Sequence, residues 1–387
     1  MNRILKNKFV WISFAVPVFV SLVVLALFFV VLYQGNGEVE YQAEVFSQVP
    51  RFENLLVPMA LIDELYDEYE YEEPPPVPVS RLTGLPLDEE YINRRPYAVV
   101  INNIRRAMPH SGIIYADIVY EVLAEGDVTR LIAIFQSYLP MRIGPVRSAR
   151  DYFVDFAFNH DSILVFHGGS EGGYRRIRSL AINNMDGMAL EGSVFYRHRQ
   201  YPYWSFNTGQ RPMEHSSYTG RERIAAHMAT AGFRDYMNEY YGYGFVFGNV
   251  PYDVESLGEV GRVSVPFSTT YTRIFAFEPE YNHYLVSNPQ GPVRDAETAE
   301  QMIVSNVLIQ LTSMTVIDAV GRRNVTTVGE GRGYLVRDGE HFPVRWVKDG
   351  HTSPTRWYFE SGEPVVLTPG RTWVCIFQSS GTVRFEE

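Results

Sequence analysis

An uncharged run at residues 9–33 limits most strongly what this chain can fold into. As an α-helix, its roughly 25 residues would span about 37 Å, enough to cross a bilayer with some tilt. Arg3, Lys6 and Lys8 precede the run and acidic residues follow it, so the positive-inside rule places the short segment 1–8 in the cytoplasm and the bulk of the chain outside. A cleaved signal peptide is the alternative, but the run is too long and is not followed by an Ala-x-Ala-like site. We therefore predict a single-pass protein of the cell membrane.

Residues 34–80 carry most of the net charge of -11. The acidic run Asp63–Glu73 is followed by three prolines, Pro74–Pro76, and such a composition cannot close a core. We interpret the segment as an extended linker, with a docking site for a basic partner as the alternative. The acidic balance and the extracellular location argue against nucleic acid as a partner.

The single cysteine, Cys375, lies in a strand-like run that is apolar on both faces, which predicts a buried and inert thiol. One cysteine excludes an internal disulfide. It also leaves no cysteine near the N-terminus to carry a lipid, so a lipid anchor is not expected. An extracellular protein without disulfides is typical of the envelope of a Gram-positive bacterium.

Strands and helices interleave in residues 81–245, which predicts an α/β domain. A hairpin with its turn at Gly126-Asp127 and a helix for which Ser148 is the predicted N-cap are its clearest features. The predicted strands are Tyr97–Ile101, Asp117–Glu121, Leu131–Phe135 and Ser162–Phe166, and a second helix is predicted at Arg221–Ala231.

Residues 246–387 contain strand and turn signals throughout, which predicts a predominantly β domain. Turns such as Asp338-Gly339 and Pro369-Gly370 supply the positive φ that tight hairpins require. The predicted fold class is therefore an α/β domain followed by a β-rich domain, behind a single N-terminal transmembrane helix.

An arginine-rich loop, Arg142–Arg150, carries the clearest chemical signal. Arg147 and Arg150 are three residues apart at the predicted start of a helix, where unpaired amides and guanidinium groups together bind phosphate. Pairing of these arginines with Asp117, Glu121, Asp151 or Asp155 is the structural alternative. Arg142, on the hairpin side, is more typical of a structural residue.

A second loop, His167–Ser170, follows a predicted strand and contains two glycines that let a ligand approach the backbone. Gly172-Gly173 is predicted to lengthen the same loop, and an ordinary turn is the alternative. Zinc-hydrolase, serine-hydrolase and nucleotide-binding motifs are absent from the sequence, so we predict no metal and no cofactor. The predicted ligand-binding residues are Asp117, Glu121, Arg130, Arg147, Ser148, Arg150, His167, Gly168, Gly169, Ser170, Arg211 and His215.

A set of motifs spans residues 81–377, and its most specific member is Ile143–Arg150. The other motifs are Arg95–Asn103, Pro109–Gly112, Ala116–Glu121, Gly126–Arg130, Gly168–Ser170, Val307–Gln310, Gly331–Tyr334, Trp346, Ser353–Thr355 and Leu367–Trp373. Together these motifs resemble the YerB family of Gram-positive envelope lipoproteins, whose function is unknown. The family carries a lipid-attachment cysteine that this chain lacks, and often has Asp-Asn where this chain has Asn102-Asn103.

A strand, then an Asp before a second strand, then a strand followed by Pro-x-Arg is an order that more distantly resembles the LytR-CpsA-Psr enzymes. That resemblance implies a phosphotransferase that acts on lipid-linked polymers. On that resemblance Asp117 would help to hold Mg²⁺ or Mn²⁺, and Arg147 with Arg150 would hold a pyrophosphate. Fold similarity alone does not establish an activity. Three hypotheses stay open: a binder of an anionic cell-wall or lipid-linked ligand, such a phosphotransferase, and an envelope assembly protein that holds protein partners. Whether the chain is an enzyme is left undecided.

Overall fold

The computed structural model describes residues 77–239, 241, 245–250 and 254–387. The predicted membrane span 9–33 and most of the acidic linker lie outside these residues. Within the described ranges, none of the helices is long and apolar enough to cross a bilayer. The described residues form one compact unit.

The described part of the chain is built mainly from strands, with a few short helices. The α-helices are α1 (Glu89–Ile92), α2 (Asp151–Phe158), α3 (Glu171–Leu180), α4 (Gly187–Leu190) and α5 (Arg221–Ala231), with 3-10 turns at Arg105–Ala107, Ile113–Tyr115 and Met213–His215. The strands are β1 (Tyr97–Asn102), β2 (Ile118–Glu125), β3 (Val128–Phe135), β4 (Ile163–Phe166), β5 (Asn184–Asp186), β6 (Tyr196–Arg197), β7 (Ser217–Tyr218), β8 (Val246–Phe247), β9 (Arg262–Pro266), β10 (Thr272–Glu278), β11 (His283–Asn288), β12 (Gly291–Pro292), β13 (Ile303–Val304), β14 (Asn306–Thr312), β15 (Met314–Val316), β16 (Arg323–Val325), β17 (Gly329–Arg337), β18 (Glu340–Lys348), β19 (Arg356–Phe359), β20 (Val366–Leu367), β21 (Thr372–Gln378) and β22 (Arg384–Glu386).

Ten of these strands form one sheet that uses both halves of the sequence. Its order is β19-β18-β17-β14-β21-β2-β3-β1-β4-β5. The two halves join where β2 pairs in parallel with β21, from Ile118 opposite Thr372 to Val122 opposite Ile376. Strands make up 41% of the structure and helices 16%. The predicted fold class, an α/β domain followed by a separate β-rich domain, is therefore wrong, because the first half contributes to a mostly β structure whose main sheet is shared with the second.

Both faces of the ten-stranded sheet are covered, which explains why its central strands are mainly apolar. In β1, Val99 and Ile101 point to one face, while Ala98 and Val100 point to the other. The first face packs on a second sheet, of order β12-β11-β10-β9-β22 with β13 paired to β11. The opposite face packs on α2 and α3. Cys375 lies in the central strand β21 and is buried, as predicted.

Most of the predicted elements are present, and two local predictions need correction. Helix α5 begins at Arg221 and ends at Ala231, as the sequence indicated, and the hairpin turns at Gly126. However, Gly172-Gly173 lies in the first turn of α3 and does not lengthen a loop. The residue that caps α2 is Arg150, not Ser148, and no side chain caps that helix. Helices are usually predicted from apolar periodicity in segments with few glycines, so the pair Gly172-Gly173 hid helix α3 from sequence-based prediction.

Candidate functional site

The two predicted ligand loops lie together at the carboxyl ends of the parallel strands β1, β4 and β5. The arginine loop runs between β1 and β4 as they separate. The Arg147 amide donates to the Val100 carbonyl at 2.8 Å, and the His167 amide donates to the Arg147 carbonyl at 3.0 Å. Open sheets place ligands at this edge, so the backbone brings the two loops to a suitable position.

Arg147 is half-buried and points toward the 3-10 turn at Met213–His215. Its Nη1 donates to the Glu214 carbonyl at 2.8 Å. Burial lowers its pKa, which the charge of Glu214 partly opposes and that of Arg197 reinforces. Among the described residues, Arg147 forms no ion pair with a carboxylate. Its guanidinium therefore keeps donors for another acceptor.

His215 lies beside Arg147 and is buried. Its Nδ1 accepts from the Asn102 side-chain amide at 2.9 Å, so the proton of the neutral ring is on Nε2, which lies 3.7 Å from Glu214 Oε1. Burial lowers the pKa of His215, and the charges of Arg147 and Arg106 lower it further. Burial and the two guanidinium charges thus all favour the neutral form of the His215 imidazole.

His167 lies on the other side of the arginine loop and is half-buried. Its Nε2 is 3.3 Å from Arg197 Nη2, and its Nδ1 is 2.7 Å from Ser217 Oγ. Because arginine only donates, Nε2 accepts and Nδ1 carries the proton. Burial, together with the charge of Arg197, lowers the pKa of His167. Arg197 is itself held by Glu191 through two contacts of 2.8 and 2.9 Å.

Arg130 and Arg150 lie behind this cluster and share one carboxylate, Glu125. Arg130 Nη2 is 3.2 Å from Glu125 Oε1, and Arg150 Nη2 contacts the same oxygen. Arg130 Nη1 also donates to the Ser148 carbonyl at 2.9 Å. Burial lowers the pKa of Arg130 to about 10, with a further contribution from Arg147. Arg130, Arg147 and Arg150 therefore do not form one shared anion site, because Arg130 and Arg150 are buried and paired with Glu125.

Asp117 and Glu121 are buried and structural. Asp117 Oδ2 accepts from the backbone amides of Gln136 at 2.6 Å and Ser137 at 2.9 Å. Glu121 pairs with Arg273, a residue of the second sheet. Neither carboxylate bonds to the Arg147 cluster, which comprises Arg147, His167, Arg197 and His215. A metal role for Asp117 does not fit, because backbone amides occupy its carboxylate and burial raises its pKa. In the described part of the chain no three His, Cys, Asp or Glu side chains are grouped to hold a metal ion.

Arg211 is also structural. It is buried, donates to the carbonyls of Gln200 and Pro109, and its guanidinium carbon lies 4.4 Å from the ring centre of Tyr201. These contacts fix the loop that precedes His215 without exposing the charge.

The glycine loop uses its backbone groups internally. The Gly168 amide donates to Asp186 Oδ1 at 2.9 Å, the Ser170 amide donates to the Ala149 carbonyl at 3.1 Å, and Ser170 Oγ caps α3. Gly168 has a φ of +71°, which favours glycine. A Cβ at Gly169 would lie 3.2 Å from the Tyr174 ring. The glycines thus serve close packing of the chain, and the side chains beside them supply the exposed chemistry.

Sequence reasoning missed Arg106, Arg197 and Ser217. Arg106 is exposed and follows β1, so the rule that ligand groups follow the ends of parallel strands could have found it. Arg197 and Ser217 lie on β6 and β7, a two-stranded ribbon with no strong local signal. Only the fold brings that ribbon next to His167.

Two sequence profiles match the chain. One is described as the protein of unknown function (DUF3048) N-terminal domain and matches residues 82–234, and the corresponding C-terminal domain matches residues 263–374. "Putative lipoprotein YerB" from Bacillus subtilis (strain 168) is 33% identical over 301 residues, which cover 76% of this chain and 85% of YerB. The chain belongs to the YerB (DUF3048) family. The crystal structure of YerB is similar to this family member with a TM-score of 0.68 and 31% identity, and the match covers 80% of this chain and 100% of the crystallised one. The resemblance read from the motifs is confirmed.

Proposed function

We propose that this YerB-family protein is a membrane-associated protein of the cell envelope that binds an anionic, phosphate-bearing cell-wall or lipid-linked ligand. The binding groups are Arg147 and Arg106, with the neutral imidazoles of His167 and His215 beside them. The lipoprotein name of the Bacillus subtilis relative supports the envelope location.

One observation carries the binding proposal. Arg106 and Arg147 both lie close enough to His215 to lower its pKa, and neither forms an ion pair with a carboxylate of the described residues. Arg106 and Arg147 both lower the pKa of His215, after the effect of burial. Arg147 is half-buried, and a guanidinium in such a place favours a bound anion. Its neighbours Arg130, Arg150 and Arg197 are each paired with a glutamate. A phosphate group suits the planar fork of a guanidinium, which donates two parallel hydrogen bonds.

Binding is tested with the purified full-length protein in detergent micelles. The probes are inorganic pyrophosphate, polyglycerol phosphate and vesicles that contain a polyprenyl pyrophosphate, which separate a free anion, a wall polymer and a lipid headgroup. We expect Arg106→Gln with Arg147→Gln to weaken binding of at least one probe about tenfold or more at low salt. The matched control is Arg384→Gln, which changes an exposed arginine on β22. Equal affinity of the double variant and the unchanged protein for all three probes would overturn the proposal.

The envelope location is tested by fractionation of cells that produce the full-length chain. We expect the protein in the membrane pellet and accessible to protease added outside. Recovery in the soluble cytoplasmic fraction contradicts the proposal. Crosslinking in cells distinguishes the assembly-protein hypothesis from ligand binding. A protein partner that binds elsewhere on the surface is still crosslinked to the Arg106→Gln, Arg147→Gln variant.

A further inference from the structure

A cavity of about 270 Å³ lies where three segments of the chain meet, 108–110, 204–206 and 288–294. Its walls include Met108, His110, Trp204, Phe206, Asn288 and Val293. None of the residues of the Arg147 cluster lines it. Trp204 and Phe206 belong to the loop after β6, whereas residues 288–294 belong to the second sheet, so local sequence patterns do not indicate this cavity.

The apolar part of the wall is aromatic. Trp204 is half-buried, and Phe206 is 47% exposed at the rim. The guanidinium carbon of Arg105 lies 5.4 Å from the centre of the Phe206 ring, a cation–π contact that orients the ring. Met108 and Val293 are buried and complete an apolar surface. Such a surface suits a flat, weakly polar face of a ligand.

The polar part of the wall comprises Asn288, His110, Gln290 and Arg294, and the Arg294 guanidinium donates to the Ala299 carbonyl at 2.8 Å. Asn288 is buried, and its Oδ1 accepts from the Gln290 amide at 2.8 Å. Its Nδ2 reaches Met108 Sδ at 3.9 Å, and a thioether is a weak acceptor, so this amide retains donor capacity.

His110 supplies the acceptor. Its Nε2 is 2.9 Å from the Asn102 carbonyl, which can only accept, so Nε2 carries the proton and Nδ1 is an acceptor. Burial lowers the pKa of His110 to about 4, and the ring is neutral at physiological pH. The cavity therefore combines an aromatic wall with the neutral groups of Asn288 and His110, while the charged Arg294 at its wall is bonded to the Ala299 carbonyl.

We infer that this cavity binds a neutral saccharide ring. A pyranose ring has a face of C–H groups that packs on an aromatic side chain and an edge of hydroxyls that bonds to Asn288 and His110. A hydrocarbon chain would leave the polar groups of Asn288 and His110 without partners, which costs free energy. A metal cation is not favoured because no carboxylate lines the cavity. The volume is near the lower end of the roughly 300–1,000 Å³ of small-molecule sites, which indicates one ring of a longer glycan.

The inference does not depend on the arginine cluster, and its test uses probes without charge. Full-length protein in detergent is titrated with cellotetraose and with the tetramer of N-acetylglucosamine, by calorimetry and tryptophan fluorescence. We expect saturable binding of at least one probe, weakened about fivefold or more by Trp204→Ala and by Phe206→Ala. The matched control is Tyr203→Ala, because Tyr203 adjoins Trp204, does not line the cavity and is 100% exposed. The Arg106→Gln, Arg147→Gln variant is expected to bind both probes as the unchanged protein does.

Asn288→Asp provides a second line of evidence that leaves the aromatic wall intact. It keeps the Oδ1 acceptor for the Gln290 amide and removes the Nδ2 donor, so we expect weaker binding. Because the new carboxylate is buried, we also expect a lower thermal midpoint, and binding is measured at a temperature where circular dichroism shows the variant folded. Absence of binding of both probes overturns the inference. Binding that Trp204→Ala, Phe206→Ala and Asn288→Asp all leave unchanged also overturns it, because the sugar is then held elsewhere.

Discussion

Glu121 and Arg273 form a buried bidentate ion pair that joins the ten-stranded sheet to the second sheet of this YerB-family protein. Arg273 Nε lies 2.7 Å from Glu121 Oε2, Nη2 lies 3.1 Å from Oε1, and both side chains are 0% exposed. Trp373 Nε1 donates to Oε2 at 3.2 Å, so the carboxylate is also bonded from β21. Such a pair is costly to break, since either charge alone is buried without a partner.

Arg273→Met is expected to lower the free energy of unfolding by about 3–5 kcal/mol. The double variant Glu121→Gln, Arg273→Met should recover part of this loss, because no uncompensated charge remains. Urea denaturation followed by circular dichroism measures both. The control is Arg345→Met, which removes an exposed pair with Glu330 and should cost less than about 1 kcal/mol. A cost for Arg273→Met as small as that of the control would contradict this account.

The neighbouring glycines of α3 are expected to respond oppositely to alanine. A Cβ at Gly172 would meet nothing closer than 3.9 Å, so Gly172→Ala should stabilise the helix by up to about 0.5–1 kcal/mol. A Cβ at Gly173 would lie 3.1 Å from the Ala149 carbonyl, so Gly173→Ala should push α3 from the arginine loop and destabilise the protein. Thermal midpoints of the two variants check this, and a stabilised Gly173→Ala protein would refute the close packing described.

Acid should destabilise the protein as the pH falls below 6.5, partly through two buried histidines. Burial lowers the pKa of His110 to about 4 and that of His160 to about 3. Between these values and 6.5 the unfolded chain binds more protons than the folded chain, so the free energy of unfolding rises with pH and is lost as the pH falls. Each histidine contributes a slope of up to about 1.4 kcal/mol per pH unit in this window.

His160→Gln isolates one of these contributions. His160 Nε2 is 2.8 Å from the Tyr120 hydroxyl, and glutamine retains a hydrogen-bonding group there. Urea titrations at pH 7, 6 and 5 should give a shallower dependence on pH for His160→Gln than for the unchanged protein. Identical slopes would show that His160 is protonated in the folded state or already neutral when unfolded.

Lys348 should react slowly with amine reagents in the native protein. It is the only lysine after Lys8, it is buried, and its Nζ donates to Asn159 Oδ1 at 2.6 Å and to the Ser353 carbonyl. Burial lowers its pKa to about 8, so the amine is nucleophilic at pH 8 but unreachable without local opening. Acetylation at pH 8, quantified by mass spectrometry, should be at least about tenfold slower than in urea-unfolded protein. Equal rates would mean that the Ser353 loop opens freely.

Local features of this protein were predictable because they depend on neighbouring residues. Gly126-Asp127 predicted the turn between β2 and β3. The predicted helix at Arg221–Ala231 is α5, and Gly232 follows its last residue. The apolar run around Cys375 indicated a buried strand, which is β21. Each of these signals lies within about a dozen residues, the range over which backbone propensity and side-chain periodicity act.

The candidate site was predictable only in part. The arginine loop and the His167 loop are adjacent, because the His167 amide donates to the Arg147 carbonyl at 3.0 Å. Pairing with a carboxylate was the structural alternative for the arginine loop, but the sequence did not identify Glu125 as the partner of Arg130 and Arg150, because the partner in a charge pair is chosen by the fold. Arg142, interpreted as structural, pairs with Glu297, a residue 155 positions away.

The sequence by itself determined the family, the strands and turns, and the arginine loop after the hairpin. Only the tertiary structure decided which strands are neighbours and which arginines keep free donors. Strand β21 lies beside β2 although more than 240 residues separate Val122 from Ile376, and this pairing merges two predicted domains into one sheet. The reason is physical: hydrogen bonds between strands and ion pairs between buried side chains are chosen by the whole packed chain, whose long-range contacts no local pattern records.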